Sequence, residues 1–372
     1  MRILLAPTAF KGSFSPAQVA QAFHSALETY AEQNPANISI DVLPLADGGD
    51  GTVDSLALAL GGTKHQLPVH GALAELRTAA WLEFQDTAVI ELASACGIAA
   101  FRKDQLDPLN AHTGGLGTVI RHVLQETDLQ KIVITLGGSA STDGGAAALA
   151  ECGVEFFEQS GAKVFPRGGA SLQRLSKVNF SNLEQFIAGR QFFVATDVDN
   201  PLLGTLGAAS VFGPQKGATP EQVKQLDSAL SHFAELIEAK KGKKFRELKG
   251  SGAAGGAAFG LVAAFDAKII SGFEWFSSLV RLDERVAASD LIISAEGRID
   301  RSTFHGKVIG SLQKVCSQYK KRLWLLAGSV EDGLNSQLDS SVEKILAAGS
   351  ADKYADLNEI AQTLLAALKS SA

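Results

Sequence analysis

Five short apolar runs along this chain end in the same way, in clusters of carboxylate, hydroxyl or cationic side chains, four of the five with glycine among them. Residues 2–6 lead into Thr8-Ala9-Phe10-Lys11-Gly12-Ser13, and residues 38–45 into Asp47-Gly48-Gly49-Asp50-Gly51-Thr52. Residues 131–136 lead into Gly137-Gly138-Ser139-Ala140-Ser141-Thr142-Asp143-Gly144-Gly145. Residues 191–196 lead into Asp197-Val198-Asp199-Asn200-Pro201, and residues 290–295 into Glu296-Gly297-Arg298-Ile299-Asp300. Apolar runs of this length read as strands buried on both faces, the habit of parallel sheets covered by helices. Open parallel sheets bind their ligands beyond the carboxyl ends of the strands. A single polar exit is a turn; a repeated one implies a site.

Between these runs the helical period is marked at its start. Ser15-Pro16-Ala17-Gln18 and Thr219-Pro220-Glu221-Gln222 are capping boxes with proline in the first helical position. Val19, Phe23, Leu27 and Tyr30 follow the first, and Val223, Leu226, Leu230, Phe233 and Ile237 the second, each on one helix face. The second helix stops in a solvated lysine run that places cations on its negative pole. The middle of the chain reads differently, with hairpins expected over 78–84 with 88–92 and over 154–157 with 162–165. Strand–helix alternation at both ends therefore predicts an α/β protein of two domains. A Rossmann/flavodoxin-like parallel-sheet domain takes 1–66 and 286–372, and a mixed-sheet α/β domain with hairpins, 67–285, is inserted in it. With 372 residues, 46% of them hydrophobic, there is material for two cores.

The charge balance narrows the partners. A formal net charge of −6 leaves no basic footprint for nucleic acid, and no apolar stretch is long enough for a membrane span. Cys96, Cys152 and Cys316 lie far apart with no zinc spacing; they read as buried small hydrophobes in a reducing cytoplasm. The partner is expected to be a small molecule, bound by a monomer or homodimer.

The mixture at the strand exits points to a reaction class. Glycine turns that open helices present amides to an anion. Lys11, Arg298 and Lys307 add countercharge, while Asp47, Asp50, Asp143, Asp197, Asp199, Glu296 and Asp300 supply more carboxylate than a phosphate site tolerates unneutralised. A hard divalent cation resolves that conflict, since Mg²⁺ takes one or two carboxylates together with phosphate oxygens. The combination reads as metal-assisted phosphoryl transfer. There is no P-loop, GxSxG or HExxH motif. Gly250-Ser251-Gly252-Ala253-Ala254-Gly255 matches GxGxxG but follows a charged run, so it reads as a helix-start anion site or a close-packed helix.

The same strings carry a resemblance. Phe10-Lys-Gly-Ser13, Leu45-Ala-Asp-Gly-Gly-Asp-Gly-Thr52, Leu136-Gly-Gly-Ser-Ala-Ser-Thr-Asp-Gly-Gly145, Asp197-Val-Asp-Asn-Pro-Leu202, Val211-Phe-Gly-Pro-Gln-Lys-Gly-Ala-Thr219, Ala253-Ala-Gly-Gly256 and Glu296-Gly-Arg-Ile-Asp300 with His305-Gly-Lys307 resemble, in order and spacing, the first type of bacterial glycerate kinase. The resemblance implies transfer from ATP to D-glycerate with Mg²⁺, usually at the 2-hydroxyl, in glyoxylate, glycerate and sugar-diacid catabolism. A kinase of a related small hydroxy acid or sugar acid, and a catalytically weakened ligand-binding relative, are the alternatives. This chain departs from the family pattern at Thr8-Ala9, where Asp-Ser is common, at Ser294-Ala295, and at Thr113-Gly114-Gly115-Leu116-Gly117. On this reading Arg298 grips the substrate carboxylate, and Lys11 and Lys307 neutralise the transferring phosphoryl group. Asp197, or next Asp47, is the general base. Asn200, His305 and Lys307 contact substrate, and Asp199 or Asp300 holds Mg²⁺. Gly137, Gly138, Ser139, Ser141, Thr142 and Asp143, with Gly252, Gly255 and Gly256, hold the phosphates of ATP.

Overall fold

Strand register sets the sheet edges on which the chemistry can sit. The computed structural model describes residues 1–10, 13–33, 38–304, 308–334, 338–347 and 356–370. Its strands are β1 (Arg2–Leu5), β2 (Ser39–Val42), β3 (Thr63–His70), β4 (Leu76–Phe84), β5 (Thr87–Glu91), β6 (Lys131–Thr135) and β7 (Glu155–Glu158). After them come β8 (Lys163–Val164), β9 (Leu175–Asn179), β10 (Gln191–Ala195), β11 (Lys268–Ile270), β12 (Leu291–Ile299), β13 (Arg322–Val330) and β14 (Val342–Ala347). The chain divides into two units, one of Met1–Asp47, Asp54–Gly61 and Phe273–Ala372, the other of Gly48–Val53 and Gly62–Gly272.

The first unit is a five-stranded parallel sheet in the order β14-β13-β12-β1-β2. The inner strands β1, β12 and β13 carry long apolar runs because both faces are covered there, while the edge strands β2 and β14 are only partly buried. Ile3, Leu5, Ile293, Trp324 and Leu326 pack with Val19, Phe23 and Leu27 of the helix Pro16–Gln33 and with Ile360 and Leu364 of the helix Leu357–Lys369. The alternate residues Leu4, Ile292, Leu323 and Leu325 are buried too. The Ser15 capping box forms as expected: the Ser15 amide donates to Gln18 Oε1 at 2.9 Å and the Gln18 amide to Ser15 Oγ at 3.3 Å.

One expected strand exit here is not an exit. β12 continues through Glu296-Gly297-Arg298 to Ile299, because β13 is as long and pairs Arg298 with Ser329 and Ile299 with Val330. Only Asp300 leaves the sheet.

The second unit has a mixed sheet in the order β11-β10-β6-β5-β4-β3, parallel from β11 to β5 and antiparallel at β4 and β3. A small antiparallel sheet, β8-β7-β9, accompanies it. Both expected hairpins are present, as β4–β5 and β7–β8. The fold is thus α/β with one parallel and one mixed sheet. Among the described residues no helix is long and apolar enough to cross a membrane. The three cysteines are buried and free.

The helix Pro220–Lys241 is tied down at its end by a carboxylate as well as by its lysines. Glu238, 2% exposed, accepts hydrogen bonds from the Phe245 amide at 2.7 Å, the Arg246 amide at 2.9 Å and Arg246 Nε at 2.9 Å. Burial alone would raise the Glu238 pKa, but these donors and Lys244 outweigh it and bring it from 4.5 down to about 2. At 1.36 kcal/mol per unit that difference is worth about 3 kcal/mol. A depressed folded-state pKa stabilises the protein fully above the unfolded value near 4.5, and the benefit is lost as pH falls toward 2. Glu238→Gln is therefore expected to lower the urea midpoint at pH 7, with the deficit shrinking as pH drops below 4.5. An equal deficit at pH 7 and pH 3 would refute the electrostatic origin.

Candidate active site

In the second unit, register aligns the carboxyl ends of the parallel strands. Glu91 pairs with Thr135, Thr135 with Ala195, and Ala195 with Ile270. Glu91, the 137–145 turn, Asp197 and Ser271 therefore follow one another along a single sheet edge. The segment Gly48–Val53 lies across that edge. The Gly137 amide donates to Gly48 O at 3.0 Å, and a Cβ on Gly137 would fall 2.2 Å from Gly49 Cα, so only glycine lets the two turns close.

Glu91 was not anticipated as a site residue. It is buried at the end of β5, where Oε1 accepts the Gly51 amide at 3.1 Å and Oε2 the Val53 amide at 3.0 Å. The anion on these two amides is thus the protein's own carboxylate, which fastens the Asp50 turn to the sheet. A single acid inside the apolar stretch 88–96 was the available signal, since a buried charge has to be paired. Asp50 is exposed beside Gly138: a Cβ on Gly138, whose φ is +66°, would meet Ala93 Cβ at 3.5 Å and Asp50 Cβ at 4.0 Å. Gly138 is the exposed, open point of the turn.

From Ser139 to Gly145 the turn is buried. Asp143 Oδ2 accepts the Thr113 amide at 2.9 Å and Thr113 Oγ1 at 2.8 Å, and Oδ1 accepts the Gly145 amide at 3.3 Å. Asp143, expected among the phosphate ligands, anchors the turn to the start of the helix Gly114–Glu126 through these donors. Ser141 and Thr142 are fully buried, and their hydroxyls have no partner among the described residues. Gly252, Gly255 and Gly256 are buried behind the turn; a Cβ on Gly255, at φ +66°, would lie 2.1 Å from Ser141 O. They let backbone pack on backbone, the close-packing alternative for this glycine run.

Beneath the turn lies a second residue that sequence reasoning passed over. Lys216, 2% exposed, donates from Nζ to Ser139 Oγ at 2.9 Å and to the Ser141 carbonyl. Burial pushes its pKa from 10.5 down to about 7, although the field of Asp143 opposes this. From sequence, Pro214-Gln215-Lys216-Gly217 reads equally well as a surface turn.

Asp197 is exposed, and its Oδ1 accepts from Ser271 Oγ at 2.8 Å. Asp199 is exposed, 3.5 Å from Lys249 Nζ. Asn200 uses Nδ2 to hold the Leu206 carbonyl at 2.8 Å, which shapes its own loop.

In the first unit, Arg298 projects from β12 and is exposed, its Nε 3.9 Å from Asp300 Oδ2. Asp300 Oδ1 accepts the Ser302 amide at 2.8 Å and the Asp300 amide donates to Thr303 Oγ1 at 3.1 Å, so this acid also opens the helical turn Arg301–Phe304. Asp47 is half-buried beyond β2. Thr8, where the family pattern has an acid, is buried and donates to Ala295 O at 2.9 Å; Ser294 likewise donates to Ala6 O at 2.6 Å. Both departures therefore tie β1 to β12. Lys11, His305 and Lys307 lie outside the described residues.

A sequence model of the glycerate kinase family matches residues 3–372. The chain is 36% identical over 343 residues to the glycerate kinase of Halalkalibacterium halodurans, covering 92% of this chain and 89% of that one. It is 36% identical over 334 residues to the glycerate 2-kinase of Escherichia coli K12, covering 89% and 86%. A crystal structure from Salmonella typhimurium LT2, assigned as glycerate kinase 2, superposes with a TM-score of 0.78 at 34% identity, covering 100% of this chain and 99% of that one.

Proposed function

The chain belongs to the glycerate kinase family, and we propose that it transfers the γ-phosphoryl group of ATP to D-glycerate, at the 2-hydroxyl in preference to the 3-hydroxyl. The observation that carries the reading is the sheet edge of the second unit. There a glycine turn and an exposed acid oriented by a serine follow consecutive parallel strands, and the buried Lys216 bonds to that turn.

The roles follow from charge. The phosphates of ATP would meet the turn at Gly137 and Gly138, with Ser139, Ser141 and Thr142 behind them and the packed residues Gly252, Gly255 and Gly256 as support. Asp197 would accept the proton of the substrate hydroxyl as its oxygen attacks the γ-phosphorus and the bond to the ADP oxygen breaks. The Ser271 hydroxyl fixes the orientation of that carboxylate; Asp47 is the second choice of base. Arg298 would hold the glycerate carboxylate through its planar fork. Lys11 and Lys307 would neutralise the phosphoryl group, and His305 and Asn200 would contact substrate. Mg²⁺, when bound, supplies charge neutralisation to the phosphate oxygens. Asp199, exposed beside the surface lysine Lys249, or else Asp300 would hold it. We place the reaction in the cytoplasm, in catabolism that yields glycerate.

The test is ADP formation that depends on D-glycerate, followed by phosphorus NMR of the product. The expected product is 2-phospho-D-glycerate. Faster turnover of another hydroxy acid in a substrate panel would reassign the substrate. Tight binding of glycerate without turnover would return the chain to the ligand-binding alternative.

A further inference from the structure

A buried ammonium group costs several kcal/mol unless an anion faces it. Lys216 is 2% exposed, yet among the described residues it forms no ion pair with a carboxylate and bonds to neutral oxygens. Asp143, whose field reaches it, has its oxygens engaged by Thr113 and the Gly145 amide. Both bonds made by Lys216 Nζ go to neutral oxygens, Ser139 Oγ and Ser141 O, on the underside of the turn whose open point is Gly138. Next to these lie two further buried polar atoms that have no partner among the described residues, Ser141 Oγ and Thr142 Oγ1. Among the described residues, a buried amine without a counter-ion and two hydroxyls without partners, all on one glycine turn, form a site short of negative charge and of hydrogen-bond acceptors. Buried unsatisfied groups in a native fold call for a ligand or another function.

We propose that Lys216 is the positioning residue of a polyphosphate cradle: it pins the 137–142 turn from below and supplies the charge that a nucleotide's phosphate tail neutralises from above. This rests on the kinase reading of the same turn and narrows it. Recognition at 137–142 is of the phosphate chain, not of the base or of glycerate. Lys216 acts through the turn and does not itself need to touch the transferred group.

The experiment compares wild type with Lys216→Met and with Lys216→Gln. The glutamine variant keeps a donor for Ser139 and Ser141 but removes the charge, and serves also if the methionine variant does not fold. Expected are a 10- to 100-fold rise in KM for ATP in both variants and KM for D-glycerate within twofold of wild type. Tripolyphosphate is expected to raise the melting temperature of wild type and not of the variants. A merely structural role would move both KM values together or neither. On wild type alone, tripolyphosphate is expected to slow hydrogen exchange across 137–145; unchanged exchange there overturns the proposal. It is also overturned if Lys216→Gln binds tripolyphosphate as wild type does while glycerate-dependent ADP formation persists, a result that leaves the kinase reading standing. Tripolyphosphate protection that depends on Lys216, in a protein that does not turn over glycerate, would refute the kinase reading and keep the cradle.

Discussion

Asp197→Asn is expected to lower kcat with D-glycerate by about 10²- to 10⁴-fold, the range contributed by a positioned general base. The asparagine is nearly isosteric, and its side-chain oxygen can still accept the hydrogen bond that Ser271 Oγ gives Asp197 Oδ1. The local geometry of the β10 and β11 exits should therefore survive, and KM for ATP is expected to stay within about threefold. What disappears is the capacity to take the hydroxyl proton. The comparison is steady-state kinetics of both proteins with ATP and D-glycerate varied independently. A kcat near that of wild type would remove Asp197 as the base and leave Asp47 to be tested next.

Arg298→Met is expected to raise KM for D-glycerate by about 10- to 100-fold and to leave KM for ATP unchanged. Glycerate is small, so its carboxylate carries much of its binding, and a hydrogen bond to a charged group is worth about 1.5–3 kcal/mol. Arg298 is an exposed side chain on a well-paired strand, and its ion pair with Asp300 is long at 3.9 Å. Removing it should cost little stability. Arg298→Lys is expected to recover part of the loss, because the charge remains while the planar fork does not. An unchanged KM for D-glycerate in Arg298→Met would place the carboxylate grip elsewhere.

The local elements were readable for local reasons. Ser15 with Gln18 and Thr219 with Gln222 form the reciprocal bonds that their spacing implies, since both partners sit within one helical turn. The apolar runs at 2–6, 131–136 and 191–196 became parallel strands because only burial on both faces suits them. Other features depended on a partner remote in sequence. Whether Glu296-Gly297-Arg298 turned or continued was decided by the length of β13, which no residue near 296 reports. Asp143 reads in sequence as a phosphate-site acid, and the hydroxyl it holds, that of Thr113, lies thirty positions earlier. Thr8, read as a lost carboxylate, proved to be a link between strands.

Sequence alone therefore determined the periodicities, the helix starts, the polar character of the strand exits and, through strings in register along the chain, the family. Each of these is written in neighbouring residues or in their order. Tertiary structure alone decided which polar groups meet. Lys216 and Ser139 are 77 positions apart, and Glu91 and Gly51 are 40. Their meeting depends on strand order and register, which are set by the sum of many weak apolar contacts. A lysine between proline and glycine looks the same on a surface turn as under a buried one, until the chain has closed around it.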